Sequence, residues 1–281
     1  MGLPAFLVLN YCNVRQFTGH LLEANENDDH AGKVANGRRS NLNFWTPATA
    51  NAEAWLRLDA GSGNTLAPTA LGLDRGHNLG GESVYFESSD SPTTGYSTLA
   101  NPTIPTTAAT GGDLDATNGI TTDEGAWLKR IAAPTARRYL RLRVPAMGAG
   151  LKPRVVGLWF GIWWEPGQIF DPLSDEDSEL ITDAIETKKG WGGSTSEVQR
   201  RLGELVFKLP SASAYTNAAL HIRDQFLRGR LMWIVHNDDA TERAVLAKFP
   251  PTRAGFRFAA GWGNRQSIIP WREYEPKLEA V

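Results

Sequence analysis

Apolar and polar residues alternate most clearly in two short stretches, residues 56–59 and 139–144. In the second stretch, leucine and valine occupy every other position, and tyrosine and arginine occupy the positions between them. A period of two predicts a strand with one buried and one exposed face. The run Val84–Phe86 is aromatic and β-branched, which also favours a strand. Because loops rich in Gly, Asn, Ser and Pro separate these runs, residues 41–90 and 137–144 are predicted to form the core of a β-sandwich.

Shorter apolar runs predict further strands in the first half of the chain: residues 5–9, a segment ending at Leu22, residues 96–99 and residues 125–131. Residues 23–30 are acidic, show no periodicity and are predicted to form a solvated loop. Their carboxylates, Glu26, Asp28 and Asp29, also suggest cation binding, but the glycine-centred spacing of an EF-hand loop is missing.

The linker-like residues 145–150 divide the chain into two predicted domains, residues 1–146 and 151–281. In the second domain, apolar runs predict strands at residues 155–164, 231–236, 244–249, 254–260 and 267–274. Helical spacing predicts one helix near residues 213–228 and a shorter one within residues 172–189, capped by Ser174. Residues 195–209 fit a helix at their start and a strand at their end. The predicted fold class is mainly β, with a second sandwich or split barrel that carries one packed helix.

Composition narrows the classes of function. The 281 residues have a formal net charge of −2. Residues 1–150 contain 12 Lys+Arg and 14 Asp+Glu, and residues 151–281 contain 17 of each. This balance excludes a basic field for nucleic acid or anionic lipid. A single cysteine, Cys12, excludes an internal disulfide and a cysteine-based zinc site. No apolar run is long enough to span a membrane, and the N-terminus is expected to be a first strand and not a signal peptide. Ten tryptophans favour a large aromatic core, although an exposed aromatic binding face stays an alternative.

The search for catalytic chemistry finds no complete motif. The five histidines show no zinc spacing, and no P-loop, dinucleotide fingerprint or nucleophile elbow is present. We therefore predict no cofactor, no metal and no enzymatic activity. The acidic residues Asp175, Glu176 and Asp177 suggest an acid–base pair, although acids at a helix start more often serve the helix dipole. The face that carries Arg141 and Arg143 suggests a binding site for phosphate or an acidic sugar. The alternative is a sheet face that is solvated or paired with a partner.

The first half of the chain resembles a discoidin-like (galactose-binding-like) jelly roll of the type found in bacteriophage tail proteins. The matching motifs are Asn-Phe-Trp-Thr-Pro from Asn43, Trp-Leu-Arg-Leu-Asp-Ala-Gly from Trp55, Gly-His-Asn-Leu-Gly-Gly from Gly76, Val-Tyr-Phe-Glu-Ser-Ser-Asp from Val84 and Arg-Tyr-Leu-Arg-Leu from Arg138. The resemblance implies framework roles for Trp45, Trp55 and Asp59. It also implies ligand recognition by loops, for which the candidates are Arg75, His77 and Asn78.

Residues 200–235 are similar to the β-rich domain of tail tube and distal tail proteins. The two resemblances together imply a structural virion protein of a phage tail tip or baseplate, made in the host cytoplasm. They imply a homo-oligomeric ring, a hexamer in the family, with tail tube, hub and fibre proteins as partners and a host surface glycan as a further ligand. The candidate assembly residues are Trp159, Trp163, Trp164 and Trp233. The alternatives are a carbohydrate-binding module and a polysaccharide-degrading enzyme that uses residues 175–177.

Overall fold

The computed structural model describes residues 5–13, 17, 19–35, 43–107, 118–122, 125–148, 150–165, 168–171, 177–186, 192–208, 231–237, 242–248, 257–261 and 264–273. Beyond residue 165, side chains are described only at residues 231–235, 244, 246 and 247. The helix predicted near residues 213–228 lies outside the described residues.

The chain is mainly β, as predicted. The strands in the described ranges are β1 Ala5–Val8, β2 Leu21–Ala24, β3 Ala54–Asp59, β4 Ala70–Leu73, β5 Tyr85–Ser89, β6 Ser97–Ala100, β7 Ile120–Thr121, β8 Trp127–Arg130, β9 Tyr139–Val144, β10 Leu158–Trp164, β11 Gln168–Asp171, β12 Asp177–Glu186, β13 Gly192–Lys208, β14 Met232–Asn237, β15 Glu242–Lys248, β16 Arg257–Gly261 and β17 Asn264–Glu273. A 3-10 helix spans Asp28–Ala35.

The chain forms two compact units that are not simple halves. The first unit comprises Met1–Gly2, Leu9–Trp163 and Asn237–Arg243, and the second comprises Leu3–Val8, Trp164–His236 and Ala244–Val281. The predicted division at residues 146–151 falls earlier in the chain. Residues up to Trp163 belong to the first unit because β10 pairs with β4, from Leu158↔Leu73 to Gly161↔Ala70. Strand β1 belongs to the second unit because it pairs with β14.

The first unit contains the predicted jelly-roll sandwich. One sheet has the strand order β2-β3-β9-β5-β6, and the other has the order β10-β4-β8-β7. Phe86 of the first sheet stacks on Trp127 of the second, with ring centroids 5.2 Å apart, and meets Phe160 edge-on at 5.8 Å. All three rings are fully buried. Because aromatic pairs of this geometry add to the free energy of apolar burial, they hold the two sheets together.

The predicted alternation is confirmed in both diagnostic strands. Ala54, Leu56 and Leu58 of β3 are buried, and the residues between them are partly exposed. Strand β9 pairs with β3 in antiparallel register, from Ala54↔Val144 to Asp59↔Tyr139, and its apolar positions point to the same core. Trp45 is fully buried, which agrees with its predicted framework role.

The acidic segment after β2 is more ordered than the predicted solvated loop. The Asp28 carboxylate accepts a hydrogen bond from the Ala24 amide at 2.6 Å, and the Glu26 carboxylate accepts one from the Thr49 amide at 2.6 Å. The 3-10 helix then buries Ala31 and Val34 against the core. Two of the three candidate cation ligands therefore hold backbone groups. The described part of the chain contains no helix long and apolar enough to cross a membrane.

The second unit departs most from the sequence predictions. Its described strands lie in the order β11-β13-β17-β15-β14-β1, with β12 beside β13 and β16 beside β17. The short helix predicted within residues 172–189 is wrong for residues 177–186, which form β12. Residues 195–208, predicted to start as a helix, belong entirely to β13. The reason is cross-strand pairing, since β12 and β13 run antiparallel from Asp177↔Leu202 to Glu186↔Gly192. The β-branched residues of β12 also favour a strand.

Candidate functional site

Three loops of the first unit lie together at one end of the sandwich, which we call the loop end. They are, in their described parts, the β2–β3 loop (25–35 and 43–53), the β4–β5 loop (74–84) and the β9–β10 loop (145–148 and 150–157). Antiparallel pairing brings them together because β2, β4 and β9 all end on this side. The amide of Trp45 donates to the Val155 carbonyl at 2.8 Å, and the Val155 amide donates back at 3.0 Å. The first and third loops are therefore joined by a short β-bridge.

Asn78 joins the second loop to the third. Its Nδ2 donates to the Lys152 carbonyl at 2.9 Å, and its Oδ1 accepts from the Arg154 amide at 2.6 Å. The side-chain amide thus pairs with the backbone as a neighbouring strand would. Asn78, which was predicted to bind a ligand, is therefore used by the fold itself to join two loops.

His77, next to Asn78 in the same loop, is a partly buried side chain. Its Nδ1 accepts a hydrogen bond from the Leu79 amide at 3.2 Å, so the neutral ring carries its proton on Nε2. Burial lowers the pKa of His77 to about 4; the charge of Asp74 opposes this shift, and the charge of Arg154 adds to it. The ring is therefore neutral at pH 7, and it holds an N–H donor on Nε2. This nitrogen is buried and has no hydrogen-bond partner among the described residues.

Arg154 places a second buried donor in the same region. Its Nε is also buried without a hydrogen-bond partner in the described part of the chain. The guanidinium carbon lies 5.8 Å from the centroid of the Phe44 ring, which comes from the first loop. Arg75, the third predicted residue, is half-buried, and its amide donates to the Asp74 carboxylate at 2.8 Å. The loop end thus combines an aromatic ring, a neutral imidazole and a guanidinium.

The sequence indicated only part of this site. His77 and Arg75 were identified from the glycine-rich loop between strands. Arg154 was missed, and Phe44 was noted only as part of a framework motif. No local pattern marks either residue, because each reaches the site through contacts between loops that are distant in sequence.

The outer face of the five-stranded sheet is a different surface, and its arginines are paired with carboxylates. The ion pairs are Arg57–Glu23, Arg138–Asp59, Arg141–Glu87, Arg143–Glu87, Arg143–Glu53 and Arg137–Asp90. The hydrogen bonds from Arg138 lower the pKa of Asp59 below its usual value. A phosphate or acidic sugar would have to displace protein carboxylates here. We therefore interpret this face as structural.

Aromatic rings complete that face. The guanidinium groups lie over rings in the pairs Arg57–Trp55 at 5.0 Å, Arg138–Tyr139 at 4.9 Å, Arg141–Tyr96 at 3.6 Å and Arg143–Tyr85 at 3.9 Å. Each ring that a guanidinium covers is less available for stacking on a ligand. The exposed aromatic binding face considered from composition is therefore not found on this sheet.

The four candidate assembly residues differ in exposure. Trp159 and Trp233 are 5% and 0% exposed, so their rings are packed inside the chain. Trp163 and Trp164 are half-buried and keep part of their surface. Their role in assembly stays a prediction. Within the described ranges, no group of three or more His, Cys, Asp or Glu side chains could hold a metal ion. Asp175 and Glu176 lie outside those ranges, and Asp177 begins β12.

No protein-family model and no curated protein sequence matches this chain. Similar solved structures include a GH29 fucosidase from Ruminococcus gnavus in complex with fucose, at 12% identity and a TM-score of 0.39, over 55% of this chain and 26% of the fucosidase. Another is chitosan-binding module 2 of a chitosanase/glucanase from Paenibacillus sp. IK-5 in complex with chitotriose, at 13% identity and a TM-score of 0.36, over 50% of this chain and 95% of the module.

A third similar structure is CpGH89CBM32-5 from Clostridium perfringens in complex with GalNAc-β-1,3-galactose. It is 12% identical, with a TM-score of 0.36, over 54% of this chain and 97% of that module. The chain therefore spans about a quarter of the fucosidase but nearly all of each module. The strand order described above, and not these distant alignments, defines the sandwich.

Proposed function

We propose that the first unit binds a carbohydrate at the loop end, through His77, Arg154 and Phe44. The observation that carries this proposal is the pair of buried N–H donors, His77 Nε2 and Arg154 Nε, neither of which has an acceptor among the described residues. A buried donor without an acceptor costs about 1–3 kcal/mol, so a ligand that supplies oxygen atoms recovers that free energy.

A saccharide suits these groups better than an anion does. Its hydroxyl oxygens accept hydrogen bonds, and its apolar ring face packs against an aromatic side chain such as Phe44. The imidazole of His77 is neutral at pH 7, so it adds no charge to attract an anion. Asn78 holds the loops in place, which lowers the entropy cost of ordering them around a ligand.

The test is a glycan array followed by titration calorimetry with the intact chain. The array includes chitotriose and GalNAc-β-1,3-galactose, the saccharides held in two of the solved structures above. His77→Phe removes the donor and keeps a ring, and Arg154→Lys keeps the charge and removes Nε. We expect each change to weaken binding about tenfold. His30→Phe, at an exposed histidine, is the matched control and should leave affinity unchanged.

Two results would contradict the proposal. The first is that the intact chain binds no glycan on the array. The second is that glycan binding survives both loop-end variants at full affinity while they remain folded by circular dichroism.

The role in a virion tail and the ring-forming second domain stay predictions from the sequence resemblance. One feature of the second unit favours an assembly role. Residues 192–201 of β13 pair, among the described strands, only with β12. A two-stranded ribbon is marginally stable alone, so contact with a second subunit would support it. Light scattering on the purified chain tests this, since a monomer at all concentrations would exclude a stable ring.

A further inference from the structure

Side-chain acceptors at the loop end are directed at backbone amides of the protein itself. His77 Nδ1 accepts from an amide of its own loop at 3.2 Å, and Asn78 Oδ1 accepts from the Arg154 amide at 2.6 Å. The carboxylate of Asp74, a residue only 4% exposed, accepts from the next backbone amide at 2.8 Å. These three side chains therefore spend acceptor atoms on holding the loops.

Two side-chain donors in the same region are in the opposite situation. His77 Nε2 and Arg154 Nε are both buried, and neither forms a hydrogen bond within the described ranges. The loops that carry them are joined by Asn78, whose Nδ2 also donates to the Lys152 carbonyl at 2.9 Å. Besides burial, the charge of Arg154 lowers the pKa of His77, so the guanidinium lies near the ring. The loop end thus holds two neighbouring donors that need acceptors.

A pair of donors distinguishes between the oxygen atoms of a sugar. A hydroxyl group accepts a hydrogen bond, but it also carries a proton that needs an acceptor of its own where water is excluded. A carbonyl oxygen only accepts, and its two lone pairs can serve two N–H donors. Because an unpaired polar group in a buried site costs free energy, an amide carbonyl matches these donors better than a hydroxyl does.

The burial of the two nitrogens favours the same group. Both are covered by the loops, so an acceptor reaches them only if the loops part, and a narrow acceptor needs the smallest opening. The acetamido group of an N-acetylated sugar projects from the ring and ends in a carbonyl oxygen and a methyl group. The methyl group suits the half-buried ring of Phe44, whose centroid lies 5.8 Å from the guanidinium carbon of Arg154.

We infer that the loop end recognises N-acetylated sugars, whose acetamido carbonyl oxygen accepts hydrogen bonds from His77 Nε2 and Arg154 Nε. This inference rests on the proposed function, because it names the class of carbohydrate that the same site binds. A plain hexose carries a hydroxyl in place of the acetamido group and leaves the hydroxyl proton without an acceptor. A uronate supplies a carboxylate, which the negative charge of Asp74 beside His77 opposes.

The experiment is titration calorimetry of the intact chain with two matched pairs of methyl glycosides. One pair is the N-acetylglucosaminide and the glucoside, and the other is the N-acetylgalactosaminide and the galactoside. In at least one pair, we expect the acetamido sugar to bind about tenfold more tightly or better. His77→Phe and Arg154→Lys each remove one donor, so each should reduce this ratio severalfold. Asn78→Ala is the matched control, because looser loops should weaken both sugars of a pair alike and keep the ratio.

The outcomes separate this inference from the proposed function. If both sugars of each pair bind equally and His77→Phe weakens both, the N-acetyl preference is wrong and the carbohydrate site stands. The preference is also wrong if neither donor variant changes the ratio, if methyl glucuronide binds as tightly as the acetamido sugars, or if array glycans bind while all four glycosides fail. If no glycan binds at all, the proposed function fails together with this inference.

Discussion

Glu87 is the carboxylate on which the outer arginine face depends most. It lies on β5, is 5% exposed, and accepts hydrogen bonds from Arg141 Nε at 2.8 Å and from Arg143 Nε at 3.1 Å. Glu87→Gln keeps the side-chain shape and removes the charge. We predict that this change lowers the free energy of unfolding, because it leaves two largely buried guanidinium groups with a weaker acceptor.

The expected loss is about 3 kcal/mol, since hydrogen bonds to charged groups contribute about 1.5–3 kcal/mol each. Arg143 keeps the carboxylate of Glu53 at 3.0 Å, so its share is smaller. Arg141 keeps the ring of Tyr96, 3.6 Å from its guanidinium carbon, but the structure shows it no other carboxylate in the described ranges. Most of the loss should therefore come from Arg141. At about 2–4 °C per kcal/mol, Tm falls by roughly 6–12 °C.

Urea unfolding followed by circular dichroism measures this loss, and double-mutant cycles divide it. The coupling of Glu87→Gln with Arg141→Met should exceed its coupling with Arg143→Met. Glu53→Gln is the matched control, because this glutamate is 53% exposed and should contribute less than about 1 kcal/mol. A loss below about 1 kcal/mol for Glu87→Gln, or a larger coupling with Arg143, would refute the reasoning.

Three further predictions follow from buried groups. The unfolded chain protonates His77 near its ordinary pKa of 6.5 and the folded chain only near 4, so stability is lost as pH falls through this window, by up to about 3 kcal/mol. Urea unfolding at pH 7.5 and pH 4.5 should show that His77→Phe loses less stability between the two pH values than the unaltered chain does. An equal loss in the two proteins would contradict this prediction. Gly119→Ala should cost about 2–4 kcal/mol, because the added Cβ would lie 2.6 Å from the Leu128 carbonyl oxygen at a φ of 71°. Gly63 has a φ of 78°, but a Cβ added to it would meet no atom within 4 Å. Gly63→Ala should therefore cost only about 1–2 kcal/mol by thermal unfolding. If Gly119→Ala and Gly63→Ala cost the same, a clash with the Leu128 carbonyl is excluded. Burial raises the pKa of Cys12 to about 12, so a thiol reagent at pH 8 should label it only after denaturation, and rapid labelling of the folded chain would refute its burial.

The strands of the first unit could be predicted because their pattern is local. A period of two encodes which face of a strand is buried, and β3 and β9 bury the residues that this period selects. The same reasoning failed for β12, whose apolar residues also fit helical spacing. Only the neighbouring strand β13 decides between the two structures, since a strand is stabilised by the partner with which it exchanges hydrogen bonds.

The candidate site shows the same limit at the level of single residues. His77 stood out in the sequence because it lies in a glycine-rich loop between two predicted strands. Arg154 and Phe44 belong to other loops, and only the antiparallel order of β2, β4 and β9 brings them to the same end of the sandwich. Likewise, β1 joins the second unit through pairing with β14, more than 200 residues later. Alternation along the chain thus determines which side chains face the core, whereas long-range pairing determines which loops, and hence which ligand-binding groups, become neighbours.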